Sequence, residues 1–302
     1  MNLKSIPHYI KRVISNKHRK SPKYHSHKEP RIAVCFYGIV GGIKGKAGES
    51  VASSSQVLEI AHKYNKKHIF DKNSNVDVFV HTWSIDLKKD IERLYQPKKA
   101  IYQPQIQFEI PDYVGGSSRR RFGHYSRWFS SREVLKLKKD YEREKDFTYD
   151  LVFITRFDAA PEVDFIFKEF DPQYFYTAHW YAKTHRYFPI YIPMGYPYLS
   201  YSGIADIWFL GNSKDLDHFA TLYDHLNEYN KPENCPRDNN GISNHILTTY
   251  HLRKIGVLER LRFRFMRVGW IGFLPKPRYL LFNYVPKEST PLVRRKFFGD
   301  LK

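Results

Sequence analysis

An acidic residue that directly follows an apolar segment is the first candidate for chemistry in this chain. Residues 151–154 are apolar without interruption, and they lead into Arg156 and Asp158. Such a run is typical of a strand covered on both faces in a parallel sheet, and ligands bind beyond the carboxyl ends of such strands. An acid there can hold a divalent cation that neutralises a diphosphate leaving group. The alternative is that Asp158 only caps the turn that follows the strand.

The glycine-rich stretch after the first predicted strand is a second candidate. An apolar run ends at Tyr37, and residues 38–48, which begin with Gly38, contain five glycines and two lysines, one of them Lys44. Glycines let backbone N–H groups approach an anion closely, and lysines add positive charge. The spacing matches neither the P-loop nor the dinucleotide-binding fingerprint. The stretch is therefore either a phosphate-binding loop or a flexible surface loop.

The predicted strands alternate with helices, which indicates an α/β fold with a mostly parallel, doubly wound sheet. A glycine-, serine- and arginine-rich loop is expected at 115–123, where it either closes over phosphates or is solvated. Ser130 and Ser131 are expected to cap the helix after that loop. The predicted strands are 31–37, 76–83, 98–105, 150–158, 175–180 and 203–211, and the predicted helices are 53–70, 130–145, 213–228 and 242–254.

The net charge of +19 is concentrated at the two ends of the chain. Residues 1–30 carry eight Lys and Arg against one Glu, a net charge of +7, and residues 251–302 carry thirteen against three acids, a net charge of +10. The central 220 residues therefore carry only +2. A nucleic-acid enzyme more often has positive charge along its central cleft. Charged ends around a near-neutral centre suit docking on an anionic surface.

The ends also contain apolar residues at informative positions. Near the N-terminus, Ile6, Ile10 and Val13 lie on one face of a possible basic helix, which is typical of membrane-surface binding; the alternative is a disordered tail. Residues 256–302 mix aromatic side chains with cations. The sequence thus predicts a basic N-terminal extension (1–30), a central domain (31–255) and a basic aromatic C-terminal segment (256–302).

The cellular location is predicted from what the sequence lacks. No apolar run approaches the roughly 20 residues that span a bilayer, and the basic start is not followed by the apolar core of a secretion signal. The two cysteines lie in an apolar strand (Cys35) and in a polar loop (Cys235), which is not a disulfide framework. We therefore expect a cytoplasmic protein, with peripheral attachment at the inner face of a membrane.

Five segments occur in a recognisable order along the chain. They are RIAVCFYG at 31–38, VDVFVHTW at 76–83, SRWFS at 126–130, YDLVFITRFD at 149–158 and IADIWFLGN at 204–212. This ordered set resembles a group of glycosyltransferases from bacterial polysaccharide clusters and from large viruses and phages. The resemblance implies a GT-A-type, Rossmann-like fold, a nucleotide-sugar donor, a manganese or magnesium ion, and a glycan or lipid-linked acceptor.

The chain departs from this family's pattern at the metal-binding motif. GT-A enzymes typically present Asp-x-Asp, whereas Arg156 stands here in place of the first acid, before Phe157 and Asp158. A single carboxylate can still hold Mg²⁺ with help from phosphates and waters. Alternatively, Arg156 itself pairs with the diphosphate as a bidentate guanidinium. If a metal binds, Asp158 and His245 are the predicted ligands, although a lone helical histidine is also compatible with a structural role.

The other site residues receive roles that glycosyl transfer requires. Asp206 and Asp238 are candidates for the catalytic base that takes the acceptor proton. Asp206 interrupts an apolar segment, so it is either a base with a raised pKa or an acid with a buried partner; Asp238 either acts as a base or begins a helix. Trp128 either stacks on the nucleobase or belongs to the core. The predicted donor-binding residues are Tyr37, Gly38, Lys44, His81, Arg127, Arg132, Arg156 and Asp158.

Two other functional classes are compatible with parts of the sequence. A nucleic-acid-binding protein would use the basic aromatic ends, and its affinity would fall steeply with salt. A sugar nucleotidyltransferase would carry a glycine-rich signature with Arg or Lys at its first strand, which residues 38–48 match only approximately. The near-neutral centre of the chain disfavours nucleic acid as a partner.

Overall fold

A computed structural model provides the structure of the chain. It describes residues 22–40, 55–159, 161, 164–177, 182–185, 188–193, 204, 206–235 and 241–263. The predicted amphipathic helix near the N-terminus, Lys44, Asp238 and most of the basic C-terminal segment lie outside these residues. No helix among the described residues is both long and apolar enough to cross a membrane. Cys35 and Cys235 are both buried.

The centre of the fold is a seven-stranded mixed sheet with the strand order β3-β2-β1-β4-β8-β5-β9. Strands β1 to β4 pair in parallel, β8 runs antiparallel to both β4 and β5, and β5 pairs with β9 in parallel. Strands β6 and β7 form a separate antiparallel pair. The strands are β1 Ile32–Gly38, β2 Val76–Thr82, β3 Lys99–Tyr102, β4 Leu151–Arg156, β5 Phe175–Thr177, β6 Ala182–His185, β7 Phe188–Pro193, β8 Trp208–Gly211 and β9 Leu261–Phe263. The predicted α/β class and mostly parallel sheet are confirmed.

Helices cover both faces of the sheet, which is compatible with a Rossmann-like arrangement. The α-helices are α1 Ser55–His68, α2 Lys88–Tyr95, α3 Ser118–Lys145, α4 Ser213–Ala220, α5 Leu226–Tyr229 and α6 Asn244–Lys254. Cys35 and Tyr37 point from β1 into the core that contains Trp128 of α3, whereas Val34 and Phe36 point into the core under α1 and α2. This alternation divides the apolar residues of the central strands between two layers.

The long helix α3 includes most of a stretch that the sequence predicted to be a loop, so it begins earlier than expected. Residues 115–123 were expected to be a loop, but α3 starts at Ser118, and the hydroxyl of Ser117 caps it by accepting a hydrogen bond from the Arg120 backbone N–H. A glycine inside a helix costs about 1 kcal/mol, and burial of side chains such as Trp128 on the same helix offsets the cost of Gly123. The predicted caps Ser130 and Ser131 are therefore buried positions inside the helix.

The segment after β8 also differs from its prediction as one long helix. It forms α4 and α5, with a turn between them at 221–225. Asn212 is the N-cap of α4, because its side chain accepts a hydrogen bond from the Asp215 N–H. The hydroxyl of Ser213, which was predicted to be this cap, instead lies 2.5 Å from the buried Nζ of Lys138.

Lys138 is the centre of a buried charged cluster between α3 and α4. Its side chain is fully buried, and its Nζ lies 2.8 Å from a carboxylate oxygen of Glu142 and 2.7 Å from one of Asp217. The Ser213 hydroxyl donates to Glu142, whose second oxygen accepts a hydrogen bond from the Tyr149 N–H. Because each donor of the ammonium group has an acceptor, the cluster can tolerate removal from water.

Candidate functional site

The carboxyl ends of β1 and β4 place two of the predicted site residues side by side. In the parallel register Tyr37 lies beside Arg156 of β4, and on its other side beside His81 of β2. Residues paired in this way project from the same face of the sheet, which here is the face covered by α3. The adjacent strand ends therefore gather predicted ligand-binding residues at the edge where α/β proteins bind ligands.

Arg156 and Asp158 form a bidentate ion pair. The Nε of Arg156 donates to Oδ1 of Asp158 over 2.7 Å, and Nη2 donates to Oδ2 in a second, short contact. Burial opposes the charge of Arg156, but the adjacent Asp158 carboxylate raises its pKa above the ordinary value. The third guanidinium nitrogen, Nη1, makes no hydrogen bond to the described residues. Asp158 thus orients the guanidinium and leaves one amino group for a ligand.

Arg127 joins the end of β1 to the segment before β8. Its Nη1 donates to Oδ2 of Asp206 over 2.6 Å, and its Nη2 donates to the Tyr37 hydroxyl oxygen over 2.8 Å. Asp206 was predicted to lie within a strand, but it precedes β8. Because β8 runs antiparallel to β4, the start of β8 lies at the same edge of the sheet as the end of β4. The reversed strand thus brings Asp206 to Arg127 and Arg156.

The environment of Asp206 decides between the two roles left open by the sequence. Burial tends to raise its pKa, but the charges of Arg127, His245 and Arg156 outweigh burial and lower the pKa below its ordinary value. The structure therefore corresponds to an acid satisfied by a buried partner and not to a base with a raised pKa. At neutral pH Asp206 is an ionised carboxylate held in place by Arg127.

His245, in the first turn of α6, completes the cluster. Its Nδ1 lies 3.0 Å from the carbonyl oxygen of Ile204 and 3.5 Å from Oδ1 of Asp206. A carbonyl oxygen can only accept a hydrogen bond, so Nδ1 carries a proton and donates it to Ile204. We call Tyr37, Arg127, Arg156, Asp158, Asp206 and His245 together the edge cluster.

The edge cluster does not fit a divalent cation. Both oxygens of Asp158 are engaged by Arg156, so neither is left for a metal ion. No group of three or more His, Cys, Asp or Glu side chains among the described residues could hold a metal ion. Asp158, one of the two predicted metal ligands, is thus occupied by Arg156, and His245 is not part of such a group in the described part of the chain.

His81 and Gly38 lie beside the cluster and are held by Ser130 of α3. The Ser130 hydroxyl oxygen accepts a hydrogen bond from the Gly38 N–H over 2.8 Å and lies 2.7 Å from Nδ1 of His81. Thr82 donates to the carbonyl oxygen of Gly38, whose φ is +92°. Burial lowers the pKa of His81 to about 4, so its ring is neutral. The backbone N–H of Gly38, predicted to meet a phosphate, is thus already used within the protein.

Arg132 lies apart from the edge cluster. Its side chain pairs with Asp224 at 2.8 Å and with Glu133, and its guanidinium packs over the rings of Tyr223 and Phe129. These contacts place Arg132 on the outer side of α3, although its charge still depresses the pKa of His81 after the larger effect of burial. The structure thus places Arg132 near His81 but not in the edge cluster.

A buried hydrogen-bond network behind the cluster was not predicted from the sequence. The side-chain oxygen of Asn244 accepts hydrogen bonds from Trp128 over 2.9 Å and from Nδ1 of His124 over 2.6 Å, and Asn230 donates to Nε2 of the same histidine. Trp128 is 2% exposed and belongs to the core, which resolves its two alternative roles. Through Asn244, the residue that precedes His245, the network holds α6 against α3. If the sequence had predicted α3 at its full length, the i, i+4 spacing of His124 and Trp128 would have placed both side chains on one face of the helix and indicated a common partner.

Comparisons with known proteins do not name a relative. No family model matches the chain, and no curated protein matches it. Lys44 and Asp238, two further predicted site residues, lie outside the described residues and stay predictions.

Proposed function

We propose that this chain is a glycosyltransferase with a GT-A-type fold. It moves a sugar from a nucleotide-sugar donor to a glycan or a lipid-linked glycan. The order of the five sequence segments supports the family, and the mixed α/β sheet covered by helices is compatible with it. The acceptor class comes from the resemblance, and the basic ends of the chain suit a substrate at an anionic surface.

One observation carries the proposal: the edge cluster contains both a set of hydrogen-bond donors and a carboxylate. Tyr37 and Arg156 are register partners at the ends of adjacent central strands, and Arg127 connects Tyr37 to Asp206. Residues distant in sequence thus converge at the one sheet edge where α/β proteins bind ligands. An inverting glycosyl transfer from a diphosphate needs these two functions, a cationic site for the leaving group and a base for the acceptor.

The donors of the cluster suit the diphosphate. Arg156 retains its Nη1 amino group, and the Tyr37 oxygen accepts a hydrogen bond from Arg127, so its own O–H proton remains for another acceptor. Hydrogen bonds from a charged guanidinium to phosphate oxygens are about twice as strong as neutral ones. These groups bind the donor and stabilise the charge that develops on the departing diphosphate.

Asp206 and His245 provide the other function of the site. Arg127 keeps Asp206 ionised, and the His245 Nδ1–H lies 3.5 Å from its second oxygen. Asp206 does not have the raised pKa of a strong base, but as an ionised carboxylate it can still accept the proton of an acceptor hydroxyl. Removing such a base typically slows a reaction by about 10²–10⁴-fold. Asp238 remains the alternative base.

Replacing Arg156 by lysine is expected to weaken binding of a nucleotide-sugar by about 10- to 100-fold. Lysine keeps the charge but loses the planar fork that contacts Asp158 and the diphosphate together, and charge-assisted hydrogen bonds are worth about 1.5–3 kcal/mol. The measurement is isothermal titration calorimetry with the nucleotide-sugar that binds the wild-type protein.

Arg143→Lys is the matched control for this experiment. Arg143 is 79% exposed near the end of α3, and its ion pair joins it to Asp140, away from the edge cluster. The control should bind the nucleotide-sugar like the wild type. Equal affinity of Arg156→Lys and Arg143→Lys would show that the Arg156–Asp158 pair is only structural.

A further inference from the structure

We propose that Arg156, oriented by Asp158, takes the place of a divalent cation at the diphosphate leaving group, so that the donor binds and reacts without a metal ion. This inference rests on the proposed function and concerns the same site. It assigns the chain to the metal-independent class of nucleotide-sugar transferases, whereas the family resemblance alone implies manganese or magnesium.

Asp158 has no carboxylate oxygen left for a metal ion. A divalent cation would need at least one of its carboxylate oxygens, and Arg156 engages both of them, with Nε at 2.7 Å from Oδ1 and Nη2 in contact with Oδ2. The pair is well protected, because the Asp158 side chain is only 13% exposed. A metal ion would have to displace a bidentate guanidinium from its own counter-ion.

The edge cluster has no excess of negative charge. Its two arginines balance its two aspartates, and the second aspartate, Asp206, is bonded to Arg127 at 2.6 Å. Mg²⁺ is usually held by one or two carboxylates together with the phosphates of the substrate. Here a dication would meet two fixed guanidinium groups and no excess of negative charge.

Positive charge at the site is supplied from within the fold. Besides Arg156 and Arg127, Arg120 in the first turn of α3 contributes to it. Burial is the main cause of the low pKa of His124, and the charges of Arg127 and Arg120 lower it further, so both act on the same region. A dianionic leaving group arriving at this edge is therefore attracted without a bound ion.

The bond changes balance without a metal. The bond between the anomeric carbon and the diphosphate oxygen breaks, and its electron pair remains on that oxygen as negative charge, where Arg156 donates hydrogen bonds to it. The acceptor oxygen forms the new bond to the anomeric carbon, and its proton passes to the base of the site. No oxidant or reductant takes part, and the leaving group departs without being protonated.

The test compares nucleotide binding with and without metal. UDP, GDP and dTDP are each titrated into the full-length protein by calorimetry, once in EDTA and once with Mn²⁺ or Mg²⁺. We expect at least one of them to bind, with dissociation constants that agree within about two-fold in all three buffers. If a nucleotide binds in the presence of a metal ion but binds ten-fold or more weakly in EDTA, the metal-free mechanism is wrong and the proposed function stands. No binding in any buffer would overturn both.

A charge-reversing variant sharpens the test. Arg156→Asp restores the two acids of the Asp-x-Asp pattern and frees Asp158, so we expect it to lose nucleotide binding in EDTA by ten-fold or more and to regain part of it with Mn²⁺. Mn²⁺ titrated alone should give heat with this variant and none with the wild type. Tight Mn²⁺ binding by the wild type would contradict the proposal, and if the variant does not fold, the wild-type comparison still decides.

Discussion

Replacing Lys138 by methionine is expected to lower the free energy of unfolding by about 3–5 kcal/mol, the cost of leaving buried charges without their counter-ion. Methionine fills a similar volume but offers nothing to Glu142 and Asp217, whose oxygens lie 2.8 and 2.7 Å from Nζ. The Ser213 hydroxyl and the Tyr149 N–H still donate to Glu142, but they cannot neutralise two carboxylates. The measurement is equilibrium unfolding in urea, followed by circular dichroism.

The neighbouring residue gives a matched control for Lys138. Lys139→Met removes the same charge from the same helix, but this side chain is 65% exposed and lies 3.6 Å from Asp217. We expect a change within about 0.5 kcal/mol, as for most surface substitutions. Similar losses for the two variants would mean that the charged cluster is not desolvated. The triple variant that adds Glu142→Gln and Asp217→Asn should recover part of the stability.

Acidification from about pH 6.5 to about pH 4 is expected to destabilise the fold through three buried histidines. Burial is the main cause that lowers the pKa values of His81, His124 and His251 to about 4, below the ordinary 6.5. The unfolded chain therefore binds more protons in this range, and the free energy of unfolding falls as the pH falls. Each histidine contributes up to about 1.4 kcal/mol per pH unit, and the loss is complete below the folded pKa.

The hydrogen bonds of His124 explain why protonation is unfavourable. Nδ1 already donates to Asn244, so Nε2 must accept the hydrogen bond from Asn230, and a proton on Nε2 would face another N–H group. His124→Gln should reduce the slope of stability against pH between 6.5 and 4, whereas the exposed His27→Gln should not. Unfolding curves at several pH values measure this slope. Equal slopes in wild type and His124→Gln would contradict the neutral buried ring.

The sequence predicts the central strands well because their residues have no alternative. The apolar runs that end at Tyr37 and Arg156 are too apolar for a surface and too short for a membrane span, so a doubly covered strand remains. The direction of β8 could not be predicted, because a run of apolar residues has the same pattern in a parallel and in an antiparallel strand. That direction brings Asp206 to the site, so the sequence could name this residue but could not place it.

The start of α3 shows where local signals fail. The stretch around Gly123 has the composition of a loop, and only the packing of Trp128 and its neighbours against the sheet makes it helical. Because the sequence did not predict this helix at its full length, it could not show that Arg127 and Ser130 lie on one helix and reach the same edge of the sheet. The ion pair between Arg156 and Asp158 could not be predicted from the sequence either. Two opposite charges at i and i+2 at the end of a strand are equally compatible with an ion pair and with joint binding of a ligand.

The most direct test of a nucleotide-sugar site is thermal unfolding of the wild-type protein with UDP-, GDP- and dTDP-sugars. CMP-sugars, which carry a single phosphate, serve as the control for a site that binds the diphosphate. We expect one class of nucleotide diphosphate sugar to stabilise the protein, by about 2.7 kcal/mol at a hundred times its dissociation constant, while CMP-sugars have no effect. An unchanged unfolding temperature with every nucleotide-sugar at millimolar concentration would contradict the assignment of the edge cluster as a donor site.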